Sequence, residues 1–331
     1  MSSNFSLKSI SIKTLYDEKK DDFQLEILAG SSFLDSRMIV SPDFYRPGLA
    51  LAGYTENFLK ERVQIIGRTE LSYLETLTSE AKQKAIEKVM AFAPPCFIIA
   101  KGLEIPKMFT DLAEQYRVPV LRTTLDTTPF IHMLTAYLDF RLAPETYVHG
   151  DLVDVYGVGL LIVGESGIGK SECALDLVER GHRLIADDLI KILRRGEGII
   201  MGYSAAKTPT LQHHIEIRGV GIVDIYALYG IRAIRTQKRI EVQVELVRWT
   251  KELDYERIGL EENYTEILGV KIPLVRIPVI AGKNLALVCE VIAKNHLLKI
   301  FGYYPAKAFN DELMKLMGRP KIDPWITNDM E

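Results

Sequence analysis

Gly164-Glu165-Ser166-Gly167-Ile168-Gly169-Lys170-Ser171 is the stretch that decides the fold. It fits G-x4-G-K-[ST], a spacing in which glycines let the backbone curl so that successive N–H groups converge on phosphate oxygens. In such a loop the following helix adds its positive N-terminus, Lys170 reaches the β- and γ-phosphates, and the Ser171 hydroxyl ligates Mg²⁺. The flanks agree. An apolar run over residues 160–163 reads as the preceding strand, residues 172–180 read as an amphipathic helix, and Gly181 stands where a helix C-cap belongs.

Toward the C-terminus, Arg183-Leu184-Ile185-Ala186-Asp187-Asp188 is an apolar strand ending in two carboxylates. Neighbours on a strand point to opposite faces, so at most one faces a nucleotide unless the backbone turns there. The strand follows the loop helix directly, which puts its carboxyl end beside the loop, where open α/β sheets bind ligands. One aspartate suits a metal shell and the other suits accepting a proton from an attacking hydroxyl. Upstream, residues 147–156 read as a strand that returns through a two-residue turn, Gly157-Val158. That register pairs Tyr156 with Gly159 and sets His149 opposite Ser166, near the phosphates, as a hydrogen-bond partner or a charge sensor. Glu216 and Arg218 in Ile215-Glu216-Ile217-Arg218-Gly219, Arg257 in Tyr255-Glu256-Arg257-Ile258-Gly259-Leu260, and Lys283 are further candidates. A carboxylate can complete a Mg²⁺ shell and an arginine can neutralise charge on a transferred phosphoryl group, but residue type alone assigns neither role. His213-His214 lacks a third ligand at suitable spacing and reads as loop.

The whole chain of 331 residues suggests two domains, with a boundary at Pro144. Residues 1–143 read as a small α/β domain. Its β-like runs at 10–15, 23–28, 63–66, 97–100 and 118–121 alternate with helical patterns at 79–92, 107–116 and 128–142, the last with Ile131, Leu134 and Leu138 in one stripe. Residues 144–331 continue past the loop with β-like runs at 190–193, 215–218, 233–234, 240–246 and 272–275. They turn helical at 284–291 and 306–317, giving an α/β domain rich in antiparallel sheet. With 41 basic against 44 acidic side chains and a formal charge of −3, no general polyanion binder is expected, hence no nucleic-acid partner. Apolar stretches fall short of the ~20 residues a bilayer demands, so no membrane span is expected. The N-terminus shows no secretory h-region. Cys96, Cys173 and Cys289, odd in number and in apolar contexts, read as reduced core thiols of a cytoplasmic protein.

The ordered set H-G, V-D-V-Y-G-x-G-x-L-I-x-G-E-S-G-I-G-K-S-E, E-R-G-H-R-L-I-A-D-D, E-I-R-G-x-G-I and Y-x-R-x-G-L resembles the bifunctional HPr kinase/phosphorylase family. Arg46-Pro47-Gly48-Leu49-Ala50-Leu51-Ala52-Gly53 resembles that family's N-terminal domain, so the resemblance covers nearly the whole chain. It implies a small N-terminal α/β domain followed by a P-loop kinase domain similar to phosphoenolpyruvate carboxykinase. It also implies ATP- and Mg²⁺-dependent phosphorylation of a serine on HPr or an HPr-like carrier of the sugar phosphotransferase system, in the regulation of carbon metabolism. The reverse reaction would use inorganic phosphate and yield pyrophosphate.

Carried over by motif, Gly164 to Ser171 form the nucleotide site, Lys170 and His149 are catalytic phosphate contacts, and Asp188 is the acid/base residue. The resemblance further implies that Arg257 is catalytic, that Ser171 and Glu216 hold Mg²⁺, and that the assembly is a homohexamer, typical of the family, with its catalytic domains at the centre. One segment departs from the family pattern. Where the family has P-V-x-P-G-R-N, tied to dephosphorylation, this chain has Pro278-Val279-Ile280-Ala281-Gly282-Lys283-Asn284. Lysine keeps the charge but loses the planar fork, and losing the proline loosens the turn. Two other readings compete: a small-molecule kinase related to phosphoenolpyruvate carboxykinase, and a nucleotide-sensing regulator, which would have little use for a paired carboxylate.

Overall fold

Ser11 decides how the first unit begins. Its hydroxyl accepts a hydrogen bond from the Thr14 amide at 3.1 Å and caps a helix, so the run at residues 10–15, expected as a strand, divides into β1 (Ile10–Ser11) and α1 (Ile12–Lys19). Ile12 and Leu15, three apart, share the buried helix face. In the computed structural model the described residues are 8–196, 198–206, 208, 211–249, 263–280 and 282–317. The chain divides into two compact units, Met1–Pro144 and Glu145–Glu331.

The first unit continues through β2 (Leu25–Ala29), β3 (Met38–Ile39), β4 (Phe44–Tyr45), α2 (Gly48–Leu51), β5 (Val63–Ile66), α3 (Arg68–Thr76) and α4 (Ser79–Met90). It closes with β6 (Phe97–Ile99), α5 (Lys107–Gln115), β7 (Val120–Thr123) and α6 (Thr127–Leu142). One sheet has the order β2-β7-β6-β5-β4, with β4 to β7 parallel and β2 antiparallel at the edge. Val63, Ile65 and Ile98 pack on one face with α1 and α6, while Ile66, Phe97 and Ile99 pack on the other with α4 and α5. Covering both faces is why β5 and β6 are buried at every position, Gln64 included, instead of alternating between buried and exposed. In α6 the buried stripe is Phe130, Leu134 and Leu138, with Ile131 at its margin.

The second unit runs β8 (Glu145–His149), β9 (Asp151–Val155), β10 (Val158–Gly164), α7 (Lys170–Glu179), β11 (Arg183–Ala186), β12 (Leu189–Arg195) and β13 (Ile199–Ser204). Next come β14 (His214–Ile217), β15 (Gly221–Asp224), α8 (Ile225–Tyr229), β16 (Gln237–Arg239) and β17 (Val242–Arg248). β18 (Tyr264–Ile267), β19 (Val270–Val279), α9 (Leu285–Ile300) and α10 (Pro305–Met317) follow among the described residues. Residues 233–234, expected as strand, end a short 3-10 turn and contribute one bridge, Ile234 to Leu184. His214, expected in a loop, opens β14.

A six-stranded sheet has the order β11-β9-β10-β17-β19-β18, in which β10, β17 and β19 are parallel. A four-stranded antiparallel sheet has the order β16-β13-β12-β8. Leu160 and Ile162 of β10 enter the core beneath α7 and α9. Leu161, between them, enters a second core with Ile190, Ile192 and Ile200 of the smaller sheet. Cys173 and Cys289 are 116 residues apart in sequence, yet their Sγ atoms approach to 3.9 Å in the core; all three cysteines are buried and free.

Two expectations about residues 147–164 are overturned. The turn is Tyr156-Gly157, both with positive φ (52° and 85°), the pattern of a type I′ hairpin. Gly159 therefore pairs with Asp154 and not with Tyr156. The strand expected over 147–156 also breaks at Gly150, whose φ is +155° and where a Cβ would collide with the Ile162 carbonyl. His149 thus ends β8 in the smaller sheet, paired with Leu189, and is not opposite Ser166.

Candidate active site

Parallel strand β10 delivers the glycine-rich loop and α7 carries it away. Gly164, Gly167 and Gly169 all have positive φ (154°, 76° and 104°), a region closed to ordinary side chains. A Cβ on Gly164 would lie 2.6 Å from the Leu246 carbonyl of β17, and one on Gly167 would meet the Arg218 guanidinium at 2.5 Å. Lys170 Nζ donates to the carbonyls of Gly164 (3.2 Å) and Glu165 (3.1 Å), which holds the ammonium across the loop. Arg218 Nη2 reaches Ser166 Oγ at 3.4 Å, and Arg248 pairs with Glu165 at 2.9 Å. The C-cap expected at Gly181 is realised one position past Arg180: Gly181 has φ +93°, and its amide and that of His182 close on Val178 and Leu177.

The next strand, β11, lies two places from β10 with β9 between them, and both run antiparallel to β9. Their carboxyl ends share one edge of the sheet. There Asp187 Oδ1 accepts from Ser171 Oγ at 2.8 Å, and Asp187 Oδ2 accepts from the Glu216 amide at 3.2 Å. The backbone does turn at the pair, because Asp188 has φ +65°, and the second carboxylate leaves the strand for solvent. Asp188 Oδ1 stands 3.7 Å from His149 Nδ1, with both side chains more than 80% exposed (86% and 81%). The structure thus joins Ser171, Asp187 and Glu216 on one side, and Asp188 with His149 on the other. The Glu216 side chain is exposed, while its amide is tied to the site. Arg257 lies outside the described residues, as does Ala281.

Asp151 is a site residue without a signal in the sequence, where it reads as one more position of a strand. It is fully buried and its Oδ1 accepts from the Asp188 amide at 3.4 Å. Burial, and then the charge and hydrogen bond of Asp187, push its pKa well above the usual carboxylate range; the Lys170 charge opposes this. Its buried Oδ2 has no hydrogen-bond partner among the described residues.

Around this edge, Gly167, Ile168, Arg248, Trp249, Val279 and Ile280 line a cavity of about 460 Å³. A second, of about 690 Å³, runs from Gly169 and Glu172 to Lys283 and Asn284. Lys283 Nζ donates to the Pro278 carbonyl at 3.4 Å, which ties that side chain back to the end of β19. Among the described residues no group of three or more His, Cys, Asp or Glu side chains could hold a metal. Mg²⁺ does not require one, because it is held by one or two protein oxygens together with water and substrate phosphates. Hard oxygen donors on Ser171 and Asp187, with Glu216 adjoining, fit that demand.

A glycine-rich loop between a parallel strand and a helix, with a carboxylate from the end of the strand two places away on its serine, defines an α/β protein of the phosphate-binding-loop class. Residues 10–138 match the family model "HPr Serine kinase N terminus" and residues 140–313 match "HPr Serine kinase C-terminal domain". The HPr kinase/phosphorylase of Geobacter sulfurreducens is 42% identical over 323 residues, 98% of this chain and 99% of that protein. That of Geobacillus kaustophilus is 45% identical over 293 residues, 88% of this chain and 93% of the relative. A solved structure, the Hpr(Ser) kinase/phosphatase from Coxiella burnetii, is 31% identical and covers 50% of this chain and 98% of its own, at a TM-score of 0.43. The chain belongs to the HPr kinase/phosphorylase family, a family of enzymes. Among the described residues no helix is long and apolar enough to cross a membrane.

Proposed function

We propose that this chain transfers the γ-phosphoryl group of Mg·ATP to a serine of HPr or an HPr-like carrier, and removes it again with inorganic phosphate, giving pyrophosphate. The observation that carries the reading is the turn at Asp188, which sets an exposed carboxylate and His149 beside a phosphate loop whose serine is already engaged by Asp187. The loop from Gly164 to Ser171 would wrap the phosphates with its amides, and Lys170 would exchange its two carbonyl contacts for phosphate oxygens. The cavity between Ile168, Trp249 and Ile280 suits a flat base.

In the forward direction Asp188 takes the proton of the serine hydroxyl as that oxygen attacks the γ-phosphorus and ADP leaves. In reverse a phosphate oxygen attacks the phosphoserine phosphorus, the P–O bond to serine breaks, and Asp188 returns the proton to the departing oxygen. His149 hydrogen-bonds the transferred group and Arg257 offsets its developing charge. Ser171 and Glu216, with Asp187 adjoining, would hold Mg²⁺, which when bound neutralises the phosphates. In this reading the protein works in the cytoplasm, in the regulation of carbon metabolism, as a homohexamer. Strongly exposed apolar side chains such as Phe301 and Phe309 support self-association.

The test is direct. Purified protein with Mg·ATP should label HPr on serine, and phosphate in place of ATP should release the label as pyrophosphate. No serine label would defeat the kinase reading. Phosphate uptake only with a metabolite would favour a small-molecule kinase. Light scattering should give six times the chain mass, and a monomer would remove the hexamer.

A further inference from the structure

We propose that the Met1–Pro144 unit has an anion site of its own, built for the phosphate group of a small phosphorylated metabolite, at the carboxyl edge of its parallel strands. It is independent of the transfer chemistry proposed above. Four parallel strands end at one cavity of about 560 Å³, and each is followed there by a polar contributor. Arg46 follows β4, Arg68 opens α3 after β5, Lys101 follows β6, and Asp126 with Thr127 and Thr128 follows β7. Open parallel sheets take ligands at this edge, because the connecting loops gather there and the next helices present their N-termini to it.

Two helices begin at the cavity, α3 and α6. Their N-cap residues, Gly67 and Asp126, make no side-chain capping hydrogen bond, so first-turn amides keep their donor capacity. Glu70 is buried and accepts from both the Gly67 amide and Arg46 Nη2, each at 2.9 Å, which fixes the guanidinium at the rim. Gly67 lets the parts close on one another, for a Cβ there would lie 3.2 Å from Arg46 Nη2 and 3.5 Å from Thr127 Oγ1. Lys101 has φ +66°, uncommon for a non-glycine residue. Its ammonium reaches Asp126 at 3.4 Å. Arg68 is exposed and has no carboxylate partner among the described residues.

The charge balance selects the ligand. Three cations against the carboxylates of Asp126 and Glu70 leave one positive charge in excess, and the two helix N-termini add about half a charge each. That matches a phosphate monoester dianion, whose three free oxygens can use amide, guanidinium and ammonium donors together. The cavity is large enough for an organic ligand and not only a bare ion. Pro129 and Ile131 give it an apolar wall.

Hydrogen–deuterium exchange on the full chain tests the site, with inorganic phosphate and glucose 6-phosphate as probes and glucose and succinate as controls. Millimolar glucose 6-phosphate should slow exchange over residues 67–71 and 126–130, equally in the natural protein and in Lys170→Ala, while glucose has no effect. Arg68→Ala with Lys101→Ala should weaken this protection about tenfold or more. Lys84→Ala, on α4 away from the cavity, should leave it unchanged. Should the double variant melt early, Arg68→Gln alone, which breaks no ion pair, supplies the comparison. Absence of protection with both phosphate probes, or protection that persists unchanged in the arginine variants, would overturn the proposal; equal protection by succinate would overturn the choice of phosphate.

Discussion

Asp187 and Asp188 are chemically identical neighbours, and a single dihedral gives them different surroundings. Asp187 continues the strand direction and is bound by the Ser171 hydroxyl and the Glu216 amide. Asp188, at φ +65°, swings out beside His149. If Asp188 is the proton acceptor, Asp188→Asn should lower turnover by roughly 10²- to 10⁴-fold with nucleotide affinity little changed. Unchanged phosphorylation would take Asp188 out of the chemistry. Lys283→Arg restores the planar fork at the segment that departs from the family pattern. It should raise the rate of pyrophosphate formation and leave the forward rate alone, whereas equal effects in both directions would argue against a separate role for that segment. The carboxylate pair was visible in the sequence as a strand ending in two acids. Asp151 was not, because nothing in a strand pattern distinguishes a buried acid beside a charged one from a solvated acid.

At the scale of elements, the strand, loop and helix from Val158 to Glu179 followed directly from apolar run, glycine spacing and the C-terminal Gly181. At the loop's entry Gly164 has φ +154° and the Leu246 backbone carbonyl lies 2.6 Å from where a Cβ would sit. Gly164→Ala should reduce ATP affinity about tenfold or more while the unit stays folded, as read by equilibrium binding and circular dichroism. Binding at the natural strength would show that the loop tolerates a side chain at its entry. Two other elements were misread for local reasons. The run at residues 10–15 is β-branched and apolar, but the Ser11 cap and the spacing of Ile12 and Leu15 favour a helix. The hairpin register turned on which two residues occupy the left-handed region, and Tyr156 does so against its own preference because Val155 and Val158 both gain buried places.

For the whole molecule, the buried Asp151 couples stability to pH. Its folded-state pKa is raised above the unfolded value of about 3.9. The stability it permits is therefore full below about pH 4 and is lost as pH rises toward the raised pKa, by up to about 1.4 kcal/mol per unit. Asp151→Asn nearly preserves the side chain's shape and removes the titration. Thermal melts should show the variant gaining on the natural protein from pH 4 to pH 8, and a constant difference across that range would mean that Asp151 is ionised throughout. The alternation of helix and strand, the phosphate loop and the family were all determined by the sequence alone, because each rests on local periodicity or on contiguous motifs. Gly150 splitting one apparent strand between two sheets, His149 standing by Asp188 instead of Ser166, Asp151 against Asp187, and the four strand ends that gather Arg46, Arg68 and Lys101 were decided only by tertiary structure. They depend on which distant backbones lie within a few ångströms of one another, and no local pattern along the chain carries that information.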